Sequence, residues 1–397
     1  MSHLVIRLGE IAVGDLRHRS GDSWEFRFRA DYVSLRPRPV LGQSFEDDLE
    51  RIHRENLRLP PFFSNLLPEG PLRRLVAREA AVNEQREALL LEFLGGDLPG
   101  AVVIEKGDDL GEEGENEPPV SPAEEAAESK AHLKFSLAGV QLKFSVLRSG
   151  DRLTLPATGL GGNWIVKLPD AQYPGVPANE LSMLRWARLA GIEVPDHELV
   201  PISEIGGLPH GLRFAEREAL AVRRFDRSAG GRIHQEDFAQ VLELFPAQKY
   251  EKYNYETIAN VIHAVAGPEA LLEYARRLAF VVLSGNGDAH HKNWSLLYLD
   301  GRRASLAPAY DLVFTRAYLE RDNLALNLRR SKRFRDVTLE SFRHLAQKTG
   351  FDESRLTEAV AEVVQQIRKA WAMYEPEMPM AKDDKASLRR HLDSIRL

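Results

Sequence analysis

Apolar positions change their period twice along this chain of 397 residues. Up to about residue 106 they alternate in short runs, Val5–Leu8, Ile11–Leu16, Trp24–Arg29 and Ala101–Glu105, separated by Gly, Asp and Ser, which predicts strands. Between them, Glu46–Asn56 and Pro71–Ala81 carry helical spacing, and Asn83–Leu94 opens on a capping residue and stops at Gly95-Gly96. The segment Pro60–Gly70, PPFFSNLLPEG, is apolar for a proline-bounded loop and predicts core packing or a docking surface for a second lobe. Alternation returns at Leu142–Arg148 and Arg152–Leu155, a hairpin around Ser149-Gly150, then at strands Asn163–Leu168 and Ala219–Phe225. A helix, Ala178–Ala190, lies between these two strands and closes at Gly191. After Arg227 the period is helical over Gln235–Leu244, Thr257–Val265, Glu269–Leu283, Leu339–Thr349, Glu353–Ala372 and Lys385–Ile395. One hairpin interrupts this half: Trp294–Leu299 and Arg302–Leu306 around the turn dipeptide Asp300-Gly301.

Composition adds a boundary. Gly107–Lys130 holds nine acidic residues and a single base among Pro, Gly and Ser, too little apolar surface to order itself, and reads as a linker or mobile loop. The expected map is therefore a β-rich unit over 1–106, the acidic linker over 107–130, a second strand-rich unit over 131–226 and a helical unit over 227–397. Charged residues at 28% and hydrophobic ones at 43% suit an ordinary globular protein. A net charge of −6 argues against nonspecific nucleic-acid binding by the whole chain, and the lack of cysteine excludes disulfides and thiolate chemistry. The start, MSHLVIRLGEIAVGDL, lacks an apolar signal core and no run of eighteen apolar residues occurs, so a soluble, cytoplasmic protein is expected.

The chemistry concentrates in Ser284–Asp311. Asp288 and Asn293 stand five apart, the spacing at which a kinase catalytic loop places its base and a metal-holding asparagine. Asp311 follows the hairpin, which would return a distant carboxylate beside Asn293 so that both face one Mg²⁺. Asn286-Gly287-Asp288 is also ordinary turn chemistry. His290 and His291 open a different reading, a metal hydrolase with His and Asp ligands. Upstream, Lys167 lies among apolar neighbours of NWIVKL, where a lysine is either a snorkelling edge residue or the phosphate-orienting lysine of a kinase. Glu180, placed in the first turn of the next helix, is its expected partner, although the helix dipole would also explain an acid there. Ser136–Lys143, SLAGVQLK, is a small-residue turn whose amides could cap phosphates, a weak signal with one glycine. Leu328–Arg335, LRRSKRFR, is the strongest basic cluster, read as a solvated face or a surface for an acidic substrate or nucleic acid. Strands first, helices after and the reactive residues at the start of the helical half predict an α+β, two-lobed, protein-kinase-like fold.

In order along the chain, FFSNLLPEG (62–70), LGGDLPGAV (94–102), SLAGVQLK (136–143), IVKLP (165–169), ANE (178–180), RRFDR (223–227), QED (235–237), NGDAHHKN (286–293) and LAPAYDLV (306–313) resemble the HipA-type toxin serine/threonine kinases over nearly the whole length. The resemblance implies a β-rich N-terminal subdomain fused to the small lobe, an all-helical large lobe, ATP and Mg²⁺, and a DNA-binding HipB-type antitoxin as partner, with DNA met mainly through it. It implies Asp288 as base with Lys167 on the phosphates, Asn293 and Asp311 on metal, and ATP contacts from Ser136, Ala138, Gly139, Val140, Gln141, Lys143, Glu180, Arg223, Phe225, His290 and Lys292. It further implies autophosphorylation at Ser136, in a loop that governs ATP binding, and growth arrest through a protein target of the aminoacyl-tRNA synthetase class, which no residue here reads out. One departure is Arg223, where the family commonly has an acid two before the phenylalanine. NGDAHHKN also fits the loop of small-molecule kinases such as aminoglycoside phosphotransferases, with Asn286 where they usually have histidine. An inactive scaffold that only binds a repressor is the third reading.

Overall fold

The computed structural model describes residues 3–107, 142–150, 152–155, 162–209, 212 and 214–397. The linker expected over 107–130 falls almost wholly outside them, as do Ser136, Ala138, Gly139, Val140 and Gln141. The first sheet has the order β4-β3-β2-β1-β5, from β1 (His3–Leu8), β2 (Ile11–Arg19), β3 (Ser23–Phe28), β4 (His53–Asn56) and β5 (Val102–Lys106), all antiparallel. Five short helices lie among these strands: α1 (Ala30–Ser34), α2 (Gln43–Glu46), α3 (Pro61–Ser64), α4 (Gly70–Glu79) and α5 (Glu87–Leu94). Inward residues Leu4, Ile6, Leu16 and Phe26 are fully or nearly fully buried, and Phe26 meets Phe63 at 4.8 Å between ring centroids. The apolar loop at 60–70 is thus core, because Phe62, Phe63, Leu66 and Leu67 complete this cluster.

A second sheet, in the order β10-β7-β6-β8-β11-β9, comprises β6 (Lys143–Ser149), β7 (Arg152–Thr154), β8 (Trp164–Lys167), β9 (His197–Pro201), β10 (Ile205–Gly206) and β11 (Glu218–Arg223). Helix α6 (Val176–Leu189) leaves β8 and is bolted to the helical half. Trp186 Nε1 donates to Ile367 O at 2.9 Å, and its ring lies 5.1 Å from Trp371. After the small ribbon β12 (Arg227–Ser228) and β13 (Gly231–Arg232), β14 (His234–Asp237) pairs with β15 (Ser295–Tyr298), which pairs with β16 (Ser305–Leu306). The rest is helical: α7 (Phe238–Val241), α8 (Tyr255–Ala266), α9 (Pro268–Leu283), α10 (Leu339–Thr349), α11 (Glu353–Tyr374) and α12 (Lys382–Ser394). Among the described residues, no helix is long and apolar enough to cross a membrane.

Four expectations are corrected. Glu46–Asn56 is not a helix: Asp48 Oδ1 accepts from the amides of Glu50 and Arg51, a local bond that competes with helix, and the chain goes on as β4. Asn83 caps no helix, since its Oδ1 turns to Gln85 N at 2.8 Å and α5 starts only at Glu87. Gln235–Leu244 begins as strand, with Asp237 ending β14 and capping α7 through a reciprocal bond pair with Gln240. Helix α6 starts at Val176, after Gly175 in the left-handed region (φ 76°) and with Pro177 in its first turn, so Glu180 stands one turn inside the helix. Its placement there no longer needs the helix dipole.

The first sheet and the helical half meet at a buried carboxylate. Glu236 Oε1 accepts from Gln43 N at 2.9 Å and Tyr298 OH at 2.5 Å, while Oε2 has no hydrogen-bond partner. Burial pushes this carboxyl up to about 8, against the pull of the two donors. A folded value above the ordinary 4.5 stabilises at low pH, and that contribution drains away as pH rises from about 4.5 to about 8. Glu236→Gln should therefore leave Tm nearly unchanged at pH 5 and raise it at pH 8.5, recovering roughly 3 kcal/mol at neutral pH. Parallel melting curves for the two proteins across that range would sink this assignment.

Candidate active site

Three charged side chains converge between the second sheet and the helical half. Lys167, at the end of β8 and 8% exposed, donates from Nζ to Glu180 Oε1 at 2.5 Å and to Asp311 Oδ1. Burial pulls its pKa down, but the carboxylates of Asp311 and Glu180 outweigh this and hold it above the ordinary value. Asp311 is held well below the carboxylate range by Lys167 and Lys143 despite burial. Its backbone sits in the left-handed region (φ 52°), a conformation costing about 1 kcal/mol or more that persists only where surroundings enforce it. Asn286 Nδ2 donates to Asp311 O at 3.4 Å, and Asn179, beside Glu180, clamps the chain three residues on: Nδ2 donates to Phe314 O at 3.1 Å and Oδ1 accepts from Phe314 N at 2.9 Å. The motif ANE therefore spends both polar side chains on this site, a use of Asn179 that sequence reasoning missed.

The catalytic-loop candidate is built from α9 outward. It turns at Gly285 and Asn286, and Asn286 Oδ1 accepts from Asp288 N at 3.0 Å. Gly287 is obligatory, since a Cβ there would lie 1.9 Å from the Asp322 carboxylate. Half-buried Asp288 accepts from Tyr250 OH, and burial pushes its carboxyl up to about 7 while Tyr250 and Lys249 pull it down. Asn293 Nδ2 donates to Asp288 O at 2.8 Å. Asn286, Asn293 and Asp311 line one cavity of about 20 Å³, so the hairpin does bring Asp311 and Asn293 to a common space. His391 of α12 packs against the end of α9 where the loop begins, with Nε2 2.9 Å from Val282 O and its ring 3.1 Å from where a Cβ on Gly285 would lie.

The remaining expected contacts divide. Lys143 faces Lys167 across β6 and β8, and Phe225 lies 5.4 Å from the ring of Tyr310, the neighbour of Asp311. Arg223 is exposed and paired with Asp196 at 3.4 Å. His290 is fully buried on Tyr250, with no hydrogen-bond partner at either ring nitrogen. His291 turns elsewhere, Nδ1 to Lys249 O at 2.7 Å, so the two histidines do not share a ligand. Lys292, expected to hold ATP, is instead held by the N-terminal unit: Glu69 at 3.1 Å, and Asn65 O and Oδ1 at 3.2 and 3.1 Å. Glu69 also takes Lys249 Nζ, and the two lysines hold its carboxyl well below the ordinary range against burial. This latch of one acid between two lysines was not foreseen.

Among the described residues, no cluster of three His, Asp or Glu side chains could cage a metal. The oxygens of Asn293 and Asp311 are instead the sparse hard donors that suit Mg²⁺ arriving with phosphates. Both line the same cavity, so the residues fit that group.

Comparison with known proteins gives this geometry its context. Residues 4–105 match the HipA N-terminal domain and residues 135–371 the HipA-like C-terminal domain. The chain belongs to the HipA family. A Sinorhizobium fredii relative of this HipA-family chain, named "Putative kinase Y4dM", is 41% identical over 99% of this chain and 97% of its own. The Shewanella oneidensis serine/threonine-protein kinase toxin HipA is 26% identical over 79% of this chain and 76% of that protein. The solved complex of Shewanella oneidensis HipA, HipB and operator DNA shares the fold, with a TM-score of 0.75 at 20% identity over 98% of this chain and 95% of that one. The kinase-like, two-lobed α+β architecture and the kinase character of the family follow from these matches.

Proposed function

We propose that this HipA-family chain is a Mg²⁺-dependent serine/threonine protein kinase of the toxin type. It would use ATP to phosphorylate a cellular protein in the cytoplasm and thereby arrest growth. The observation that carries this reading is Lys167 fixed between Glu180 and Asp311 beside a loop presenting Asp288 and Asn293. Lys167, kept charged and rigid by its two carboxylates, would hold the phosphates in line. Asp288 accepts the proton of the incoming hydroxyl, and its pKa near 7 leaves it poised to do so at neutral pH. Asn293 and Asp311 would hold Mg²⁺, which when bound neutralises charge on the phosphate oxygens.

Two partners extend the reading. The similarity to a toxin solved with HipB and operator DNA favours a HipB-type antitoxin as partner, with DNA met mainly through it. Lys143 starts β6 immediately beyond Ser136–Gln141, so a phosphate of about −1.5 to −2 charge on Ser136 would compete with ATP near Lys143 and Lys167. Incubation with Mg-ATP should thus phosphorylate Ser136 and weaken nucleotide binding. A modified Ser136 that leaves ATP affinity unchanged defeats the self-regulation alone. The kinase reading itself is tested with labelled ATP, offering protein extract and small-molecule acceptors in parallel. Label in protein supports it, and label confined to small acceptors refutes it.

A further inference from the structure

The basic run at 328–335 lies on the segment between Asp311 and α10, and its backbone is unusual. Leu328 and Ser331 exchange both main-chain hydrogen bonds, at 2.8 and 3.0 Å, closing a two-residue hairpin turn whose central residues are Arg329 (φ 48°) and Arg330 (φ 67°). Positive φ at both central positions is the geometry that Asn-Gly adopts readily and that a long L side chain adopts only under strain. Two arginines therefore occupy the positions where they suit the backbone least.

The turn is also held in place. Glu256, in the first turn of α8, accepts from Arg329 N at 2.6 Å. Next to it, Tyr255 N donates to Asn327 O at 3.1 Å, and the Tyr255 hydroxyl reaches Ala289 O, one residue past Asp288, at 3.0 Å. One tyrosine thus ties the hairpin to the catalytic loop. Meanwhile Arg329, Arg330 and Arg333 are exposed and carry no ion pair among the described residues. The nearby acids are engaged: Asp336 accepts from Ser331 Oγ at 2.6 Å, Asp322 from Thr315 Oγ1 at 2.5 Å, and Glu256 from the turn itself. Beside the tip, Asn323, Arg330, Ser331, Lys332, Arg333 and Asp336 line an open cleft of about 610 Å³.

We infer that this strained arginine turn is the docking surface for an acidic segment of the protein that receives phosphate. The inference rests on the kinase reading and names its substrate class. Strain kept at an exposed turn beside a reactive loop marks a position used for something other than stability. A cluster of unpaired guanidinium groups on a chain of net charge −6 attracts acidic groups and offers carboxylates paired donors. A single-stranded nucleic acid is the weaker fit, since no aromatic ring lines the cleft to stack a base.

The test uses the full chain and two fluorescent serine peptides of equal length, one rich in glutamate and one rich in lysine. Anisotropy at low salt should show the acidic peptide binding at least tenfold more tightly. Arg329→Asn/Arg330→Gly should abolish that preference, raise Tm by about 2–4 °C and leave ATP turnover unchanged, while Arg329→Lys/Arg330→Lys, which keeps the charge but not the paired donors, should weaken the binding only in part. A variant that binds the acidic peptide like the wild type overturns the docking surface, as does a short RNA that displaces the peptide more strongly than unlabelled peptide does. Wild-type protein that turns over ATP yet binds both peptides equally refutes docking alone. Failure of ATP turnover refutes the kinase reading, and the docking surface with it.

Discussion

Asp288→Asn should reduce phosphoryl transfer by about 10²–10⁴-fold, the usual worth of a positioned base, while leaving fold and nucleotide affinity in place. The substitution keeps the size of the side chain and an oxygen that accepts from Tyr250 OH. What disappears is the site for the substrate proton. Because burial holds the Asp288 carboxyl near 7 in the free protein, wild-type activity should rise with pH through neutrality as the carboxylate forms. The residual activity of the Asn variant should lack that limb. Full activity in Asp288→Asn, measured with labelled ATP and any accepted protein, would remove Asp288 from the role of base.

Glu69→Ala should cost about 10²-fold in transfer, although Glu69 belongs to the first unit of the chain. Its carboxylate joins Lys249, whose neighbour Tyr250 donates to Asp288, and Lys292, which adjoins Asn293. Without it, two cations packed under the loop face each other with less compensation, and displacements near 1 Å at a reacting group cost on this order. The stability loss should be smaller than the ~3–5 kcal/mol of breaking a fully buried pair, because the Glu69 side chain is 26% exposed. ATP binding, which the proposed function centres on Lys167, should survive. The discriminating measurement is a double-mutant cycle on transfer rate with Lys249→Ala. Strictly additive effects would show that the latch does not act through that lysine.

Much of the site's assembly was legible because it follows local rules. The Asp300-Gly301 turn folds the hairpin that returns Asp311, and Lys167 ends a strand whose following helix carries Glu180. Legibility failed where a side chain outbid periodicity. Phe238, Val241 and Leu244 gave Gln235–Leu244 a helical look, while Glu236 was committed to Gln43 on a short helix and Tyr298 on the neighbouring strand. It failed again for Lys292, whose partner Glu69 lies 223 positions away (292 − 69) in a stretch that read only as apolar. Asn179 was visible as a residue but not as a clamp, because its target is the backbone of Phe314, which no side-chain pattern betrays.

The supports of the catalytic loop come from opposite ends of the chain, Glu69 near the beginning and His391 near the close. During translation the ribosome delivers Glu69 first, the loop more than two hundred residues later and α12 later still. A nascent chain therefore carries Asp288 for some time before the helix beneath it exists. Any message cut short before α12 yields a product whose loop keeps the Glu69 latch but lacks the contact from His391. Assembly of the site thus depends on segments far apart in the sequence, so that fragments lacking α12 would be poor enzymes.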